Sequence, residues 1–165
     1  MAAVLESPAP PLRRIALGLS YRGNRYHGWQ SQPDGRTVQD QLESALGRFC
    51  ALGDGATRIP TWCAGRTDTG VHALQQVVHF DTPLAREDFS WVRGVARYLP
   101  KDIAVRWAQE VPATFHARAA AQSRRYVYLL LDSPTRPSLG AGRVGWSFRP
   151  LDAERMQEAA QYLLG

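Results

Sequence analysis

Hydrophobic and polar positions follow two different periods along the chain, and the switches between them predict the order of elements. Ile15 to Tyr21 alternates apolar with small residues, which is typical of a strand. Val38 to Phe49 carries one apolar stripe at helical spacing. Thr37 precedes it and, with Asp40 three residues later, resembles a capping box. The remaining pattern predicts strands over 59–64, 75–81 and 103–110, loops over 26–35 and 65–73, and a second helix over about 86–99 with Val92, Val95, Ala96 and Leu99 inward.

The order of these elements, β-α-β-β-α-β, is that of the ferredoxin-like fold, in the α+β class. With both helices on one face of the sheet, the other face is left free to bind a ligand. The sequence therefore predicts a flexible leader over 1–14 and a ferredoxin-like N-terminal domain over 15–112.

After Pro112 the pattern starts again. It predicts a strand over 124–131, a connection rich in proline and glycine over 132–145, and a capped helix over 152–164. One strand and one helix cannot form an independent sheet, so 113–165 is interpreted as the beginning of a second, truncated α+β domain. Either the chain is a fragment, or this piece is completed by the first domain or by another copy.

Composition excludes several classes of protein. The chain has 165 residues, 44% of them hydrophobic and 21% charged, as in a folded soluble protein. No apolar stretch is long enough for a membrane span, and the first residues do not resemble a secretory signal. Two cysteines are too few for a disulfide framework, and neither they nor the four histidines have metal-ligand spacing. We expect a cytoplasmic protein without a metal or a membrane partner.

The basic excess is almost entirely arginine: of 20 basic residues against 15 acidic ones, Lys101 is the only lysine. A GC-rich genome is one explanation, and recognition of phosphates and bases by guanidinium groups is the other. Residues 7–33, 111–131 and 133–151 contain arginines and aromatic residues but no acid. Such tracts favour nucleic-acid binding, because cations attract phosphates and rings stack on unpaired bases. A solvated arginine-rich face would show the same pattern.

The segment from Cys63 to Ala73 is the one that points to chemistry. It is a predicted loop that presents Asp68 beside Arg66, with Gly65 and Gly70 permitting tight turns. Arg66 is expected to keep this carboxylate ionised, so that it can act as a nucleophile or stabilise a developing cation. An ordinary Asx-type turn with a salt bridge is the alternative on these residues alone.

Residues 65–73, Gly-Arg-Thr-Asp-Thr-Gly-Val-His-Ala, resemble the signature of the TruA family of tRNA pseudouridine synthases. Further segments resemble the family in order and spacing: 15–21, 26–30, 76–80, 99–100 with 102–106, 115–118 and 124–126. The resemblance runs from about Ile15 to the end of the chain. Thr69 departs from the alanine usual in the family, and most of the family's second ferredoxin-like unit, which holds a basic partner of the catalytic aspartate, is absent.

The resemblance implies roles for individual residues. Asp68 would be the essential carboxylate, Arg66 would orient it and the substrate, and Tyr126 would stack on a uracil that has been flipped out of the RNA. For contacts with the RNA backbone the candidates are Arg22, Arg25, Arg118 and Arg125.

The family also implies a tRNA substrate, modified in the anticodon stem-loop at positions 38, 39 and 40, a homodimer and no cofactor. A non-catalytic RNA-binding module is the alternative, because RNA-recognition motifs use the same four-stranded architecture, although their aromatic signatures are not evident here. A folding domain that only dimerises is a third, weaker option. We expect residues 1–165 alone to give little or no turnover.

Overall fold

A computed structural model describes residues 11–50 and 58–164. They divide into two compact units, the first ending at Arg124 and the second starting at Arg125. The first contains β1 (Arg13–Tyr21), a short 3-10 turn (Gly23–Arg25), α1 (Val38–Cys50), β2 (Trp62–Cys63), β3 (Ala73–Thr82), α2 (Asp88–Ala96) and β4 (Ile103–Val111). The second contains β5 (Leu130–Asp132), β6 (Gly145–Ser147) and α3 (Ala153–Gln161).

The sheet of the first unit has the strand order β2-β3-β1-β4, and each neighbouring pair is antiparallel. Its central strand β1 turns Ile15, Leu17 and Leu19 toward the helices, where they are almost fully buried. They share one hydrophobic core with residues of α1 and α2. A mixed α/β fold with an antiparallel sheet is therefore confirmed.

Helix α1 begins as the sequence predicts. Thr37 Oγ1 accepts the Asp40 backbone N–H at 3.2 Å and donates to the Asp40 carboxylate at 2.5 Å, which caps the first turn. Helix α2 is shorter than predicted, and the expectation that Ala96 faces inward is wrong, since it is exposed. The buried stripe of α2 passes through Trp91 and Val95, one turn apart, and the residue after Val95 points about 100° away.

The sheet face opposite the helices is also partly covered. The Trp107 ring lies over Gly18, where a Cβ would come 2.1 Å from Trp107 Nε1. His79 is buried and stacks on Trp62, with ring centroids 5.2 Å apart. The chain after β4 then covers His79, because the Ala117 N–H donates to its Nδ1 at 3.2 Å.

Arg14 ties this following segment to the sheet. Its guanidinium donates twice to the Asp81 carboxylate, at 2.8 Å each, and its Nη1 also donates to the carbonyls of Ala113 and Phe115. The first unit thus extends past residue 112, where the sequence predicts the domain boundary, to Arg124.

The second unit holds a parallel pair, β5 and β6, and the helix α3, whose N-cap Asp152 accepts the Arg155 N–H at 3.0 Å as predicted. The predicted strand over 124–131 is wrong for 124–129, and β6 forms at the end of the predicted connection. A strand forms only where a neighbouring strand pairs with it, and β5 pairs with β6 over just three residues. Every residue of α3 is exposed, including Met156.

Three sequence predictions concern the margins of these elements. Residues 1–10 of the predicted leader lie outside the described residues, and β1 already begins at Arg13. The sequence further predicts that Gly53 and Gly55 end the first helix, and both glycines also lie outside the described residues. The strand predicted over 59–64 is confined to Trp62–Cys63. In the described part of the chain no helix has the length and apolarity to cross a membrane.

We predict that the free energy of unfolding falls as pH drops below about 6.5, in part through His79. Burial, aided by Arg14 and His116, lowers the pKa of His79. Below this pH the unfolded chain binds a proton at His79 that the folded chain does not bind. The free energy of unfolding therefore falls by up to about 1.4 kcal/mol per pH unit. Denaturant unfolding between about pH 7.5 and 5 measures it. His79→Gln should flatten the dependence, and an unchanged slope in this variant would contradict the assignment.

Candidate active site

The loop between β2 and β3 places Asp68 in a tight turn on the surface. The Val71 N–H donates to the Asp68 carbonyl at 3.1 Å, and Gly70, at the third position, has a φ of 81°. This positive φ is typical of a type II turn, which favours glycine there. The Asp68 side chain is exposed, so its carboxylate is accessible from solvent.

The loop is supported from the core side at Thr67. The Trp29 N–H donates to the Thr67 carbonyl at 2.9 Å, and the Tyr21 hydroxyl lies 2.8 Å from Thr67 Oγ1. A third contact joins the Gly70 N–H to the Tyr26 carbonyl at 3.4 Å. Thr67 is thus held inward on both its backbone and its side chain, and Asp68 follows it directly.

Two glycines behind the loop allow this close approach. Gly28 has a φ of +85°, and a Cβ on it would lie 2.7 Å from the Thr67 carbonyl oxygen. A Cβ on Gly23 would lie 2.0 Å from the Val71 carbonyl oxygen. The Gly23 N–H also donates to His72 Nδ1 at 3.2 Å, which makes this ring nitrogen an acceptor. The segment from residue 23 to 29 therefore forms the rear wall of the loop.

The start of the loop is fixed by side chains. Gln76 binds both backbone groups of Gly65: its Nε2 donates to the Gly65 carbonyl at 2.5 Å, and its Oε1 accepts the Gly65 N–H at 3.4 Å. Arg124 Nε donates to the Ala64 carbonyl at 3.0 Å. Backbone and side-chain contacts together hold the loop at both ends and in the middle.

The expected ion pair between Arg66 and Asp68 is not formed. Neither residue belongs to any ion pair within 4.0 Å in the described residues, although both are exposed. An exposed pair gains little Coulomb energy and loses side-chain entropy, while the fixed Thr67 between them leaves both free to point into solvent. Arg66 nevertheless contributes to the local field: burial raises the pKa of the Cys63 thiol, and Arg66 and Arg118 oppose that rise.

The other predicted site residues divide between the two units. Arg22, Arg25 and Arg118 are exposed in the first unit. Arg22 directly precedes the rear wall, and Arg25 lies within it. Arg125 and Tyr126 belong to the second unit and are exposed, Tyr126 to 69%. Among the described residues no cluster of three or more histidine, cysteine or acidic side chains could hold a metal ion.

Several supporting residues escaped the sequence analysis. Gln76 could have been identified from the sequence, because it is a polar residue on the same alternating face of β3 as the apolar Val78 and Phe80, and is buried with them. No local sequence pattern indicates the contact between Tyr21 and Thr67, since these residues are 46 positions apart. Gly23 lies between polar neighbours, where a glycine is ordinary.

Comparison with known proteins defines the class to which this fold and this loop belong. A family model described as tRNA pseudouridine synthase matches residues 19–118, which include the end of β1, the rear wall and the loop with Asp68. The chain belongs to this family.

Individual relatives extend the match. The tRNA pseudouridine synthase A of Methylibium petroleiphilum is 65% identical over 153 residues, covering 92% of this chain and 56% of that protein. Those of Delftia acidovorans and Polaromonas naphthalenivorans are each 62% identical over 152 residues, covering 52% and 56% of their own lengths. The chain thus spans about half the length of the curated relatives it matches.

We predict that Gly28→Ala destabilises the fold more than Gly35→Ala does. Both positions have positive φ, so both variants pay about 1–2 kcal/mol for a left-handed alanine. Only Gly28 also faces the Thr67 oxygen, whereas a Cβ on Gly35 meets nothing within 4 Å. The clash should add about 1–3 kcal/mol. Denaturant unfolding of the two variants measures the difference, and equal losses would show that the contact with Thr67 does not constrain the loop.

Proposed function

We propose that this chain carries the catalytic carboxylate of a tRNA pseudouridine synthase, which isomerises uridine to pseudouridine in tRNA. The observation that carries the proposal is Asp68: an accessible carboxylate without an ion-pair partner among the described residues, on a turn fixed from behind through Thr67. Membership of the family and relatives at 61–65% identity support it.

The reaction breaks the bond between C1′ of the ribose and N1 of uracil, and forms a bond between C1′ and C5. A proton leaves C5 and N1 gains one, so the product is an isomer of the substrate. Asp68 has two roles open to it: attack on C1′, or assistance to a deprotonation of the sugar that leads to a glycal. Both need an ionised carboxylate at a fixed position against the ribose.

The neighbouring residues supply orientation. Arg66, exposed and two positions before Asp68, is proposed to contact the substrate and direct it toward the carboxylate. Tyr126 is proposed to stack on the flipped uracil and to help remove the C5 proton. Its exposed ring is a surface of the kind that stacks on a base.

The wider assignment follows the resemblance. The strand order β2-β3-β1-β4 with both helices sharing one core supports a ferredoxin-like first domain. The compact unit that starts at Arg125, later than the predicted boundary at residue 113, is proposed as the beginning of the second domain. The proposed substrate is the anticodon stem-loop at positions 38, 39 and 40, bound by a cytoplasmic homodimer. Arg22, Arg25, Arg118 and Arg125, all exposed, are the proposed backbone contacts.

We predict that Asp68→Asn in the full-length protein abolishes pseudouridine formation, with a loss on the order of 10³-fold or more. The amide keeps the shape of the side chain but cannot act as nucleophile or base. Release of tritium from tRNA labelled at uridine C5 measures the reaction. Thr69→Ala, a change in the same exposed turn, is the matched control and should keep activity. Near-normal turnover by Asp68→Asn would reject the assigned role.

We also predict that residues 1–165 alone bind tRNA but turn it over little. Binding should weaken steeply with salt, because phosphate contacts release counterions. Low turnover is expected because the second unit has only three paired residues in each strand and an exposed helix. Gel-shift and tritium-release assays on this chain test both points. Normal turnover by this chain would contradict the prediction. The alternative, a non-catalytic RNA-binding module, predicts that the full-length protein shows no turnover either.

A further inference from the structure

A surface cleft of about 280 Å³ lies where β1 ends and β4 begins. Its lining residues are Arg22, Asn24, Arg25, Lys101 and Asp102. Two backbone segments form it: the 3-10 turn after β1 and the turn between α2 and β4. The Arg22 N–H donates to the Asp102 carbonyl at 2.9 Å, one step beyond the paired residues Tyr21 and Ile103, so the two segments are held side by side.

The charge of the cleft is positive and largely unpaired. The side chains of Arg22 and Lys101 are exposed and form no hydrogen bond or ion pair with the described residues. Arg25 approaches Asp102 only at 3.9 Å. The Asp102 carboxylate is already occupied, since it accepts the Tyr26 hydroxyl at 2.5 Å and only 14% of its side chain is exposed. An anion entering the cleft thus meets Arg22 and Lys101, neither of which has a competing partner among the described residues.

The cleft and the loop that holds Asp68 share one backbone segment, the 3-10 turn Gly23–Arg25. Gly23 begins the 3-10 turn that also contains Asn24 and Arg25. Its N–H donates to His72 Nδ1, and its Cα lies against the Val71 carbonyl. One three-residue turn therefore contacts the catalytic loop on one side and lines the cleft on the other.

We propose that this cleft binds a phosphodiester of the RNA substrate, with Arg22 and Lys101 as its two ligands. The inference rests on the proposed function for the identity of the RNA. A phosphate suits two unpaired cations that converge from separate segments. Lys101, the only lysine of the chain, lies outside every arginine-rich tract, so the sequence alone gave no reason to select it.

Binding of a fluorescent 17-nucleotide anticodon stem-loop RNA to the 165-residue chain, as a function of salt, tests the proposal. Arg22→Ala and Lys101→Ala should each weaken binding about tenfold and reduce the slope of log K against log salt by about one. If both contact one phosphate, the double variant should lose little more than either single variant. Arg22→Lys and Lys101→Arg keep the charge and should restore most of the affinity and the slope.

Arg97→Ala is the matched control. Arg97 is exposed at the end of α2, and its side chain also lacks a hydrogen-bond or ion-pair partner in the described residues. It should leave affinity and slope unchanged. The proposal is overturned if Arg22→Ala and Lys101→Ala bind as the unaltered chain does, if Arg97→Ala loses as much as they do, or if the unaltered chain binds no RNA.

Tritium release by the full-length protein separates this proposal from the proposed function. Cleft-dependent RNA binding without any pseudouridine formation would overturn the proposed function and support the cleft. Pseudouridine formation by the full-length protein, together with unaltered RNA binding in both alanine variants, would support the proposed function and overturn the cleft proposal.

Discussion

The position of the candidate catalytic carboxylate depends on one backbone hydrogen bond, from the Trp29 N–H to the Thr67 carbonyl. Trp29 is almost fully buried and packs near the Tyr21 ring, with centroids 6.1 Å apart, so the donor is fixed by the hydrophobic core. Gly28 lets the acceptor approach, because any side chain there would occupy the space of the Thr67 oxygen. Asp68 follows directly, and the core thereby determines where an exposed group lies.

Asp68 differs from two other carboxylates of the first unit, Asp40 and Asp81, in having an exposed side chain. Burial raises the pKa of Asp40, but hydrogen bonds from Ser31, Thr37 and Arg58 outweigh it and lower the pKa overall. Hydrogen bonds from Arg14 likewise lower the pKa of Asp81. These two groups are occupied in joining parts of the fold. Asp68 has a rigid backbone and an uncommitted side chain, which a substrate can engage without first breaking an ion pair.

The elements that the sequence predicts well are those whose signal lies within one segment. Alternation in β1 and the capping pair at Thr37 are local, and both are found. The ends of α2 and β5 were misplaced because they depend on partners: the buried stripe of α2 follows Trp91 and Val95, and β5 exists only opposite β6. The loop with Asp68 was located from its glycines, yet its supports on other segments were not, since no local pattern encodes a contact with Tyr21.

The two most distinctive motifs of the chain act as one unit. Residues 26–30 lie within the tract over 7–33 whose composition favours nucleic-acid binding, but Trp29 is in the core, and His27 pairs with Asp34 at 2.6 Å. What this segment gives to the site is backbone: the Tyr26 carbonyl, the Trp29 N–H and the space at Gly28. The residues at 65–73 carry the candidate catalytic carboxylate, and the earlier motif supports the backbone on which it lies. Substitutions in the first motif should therefore act through the position of Asp68, even where they contact no RNA.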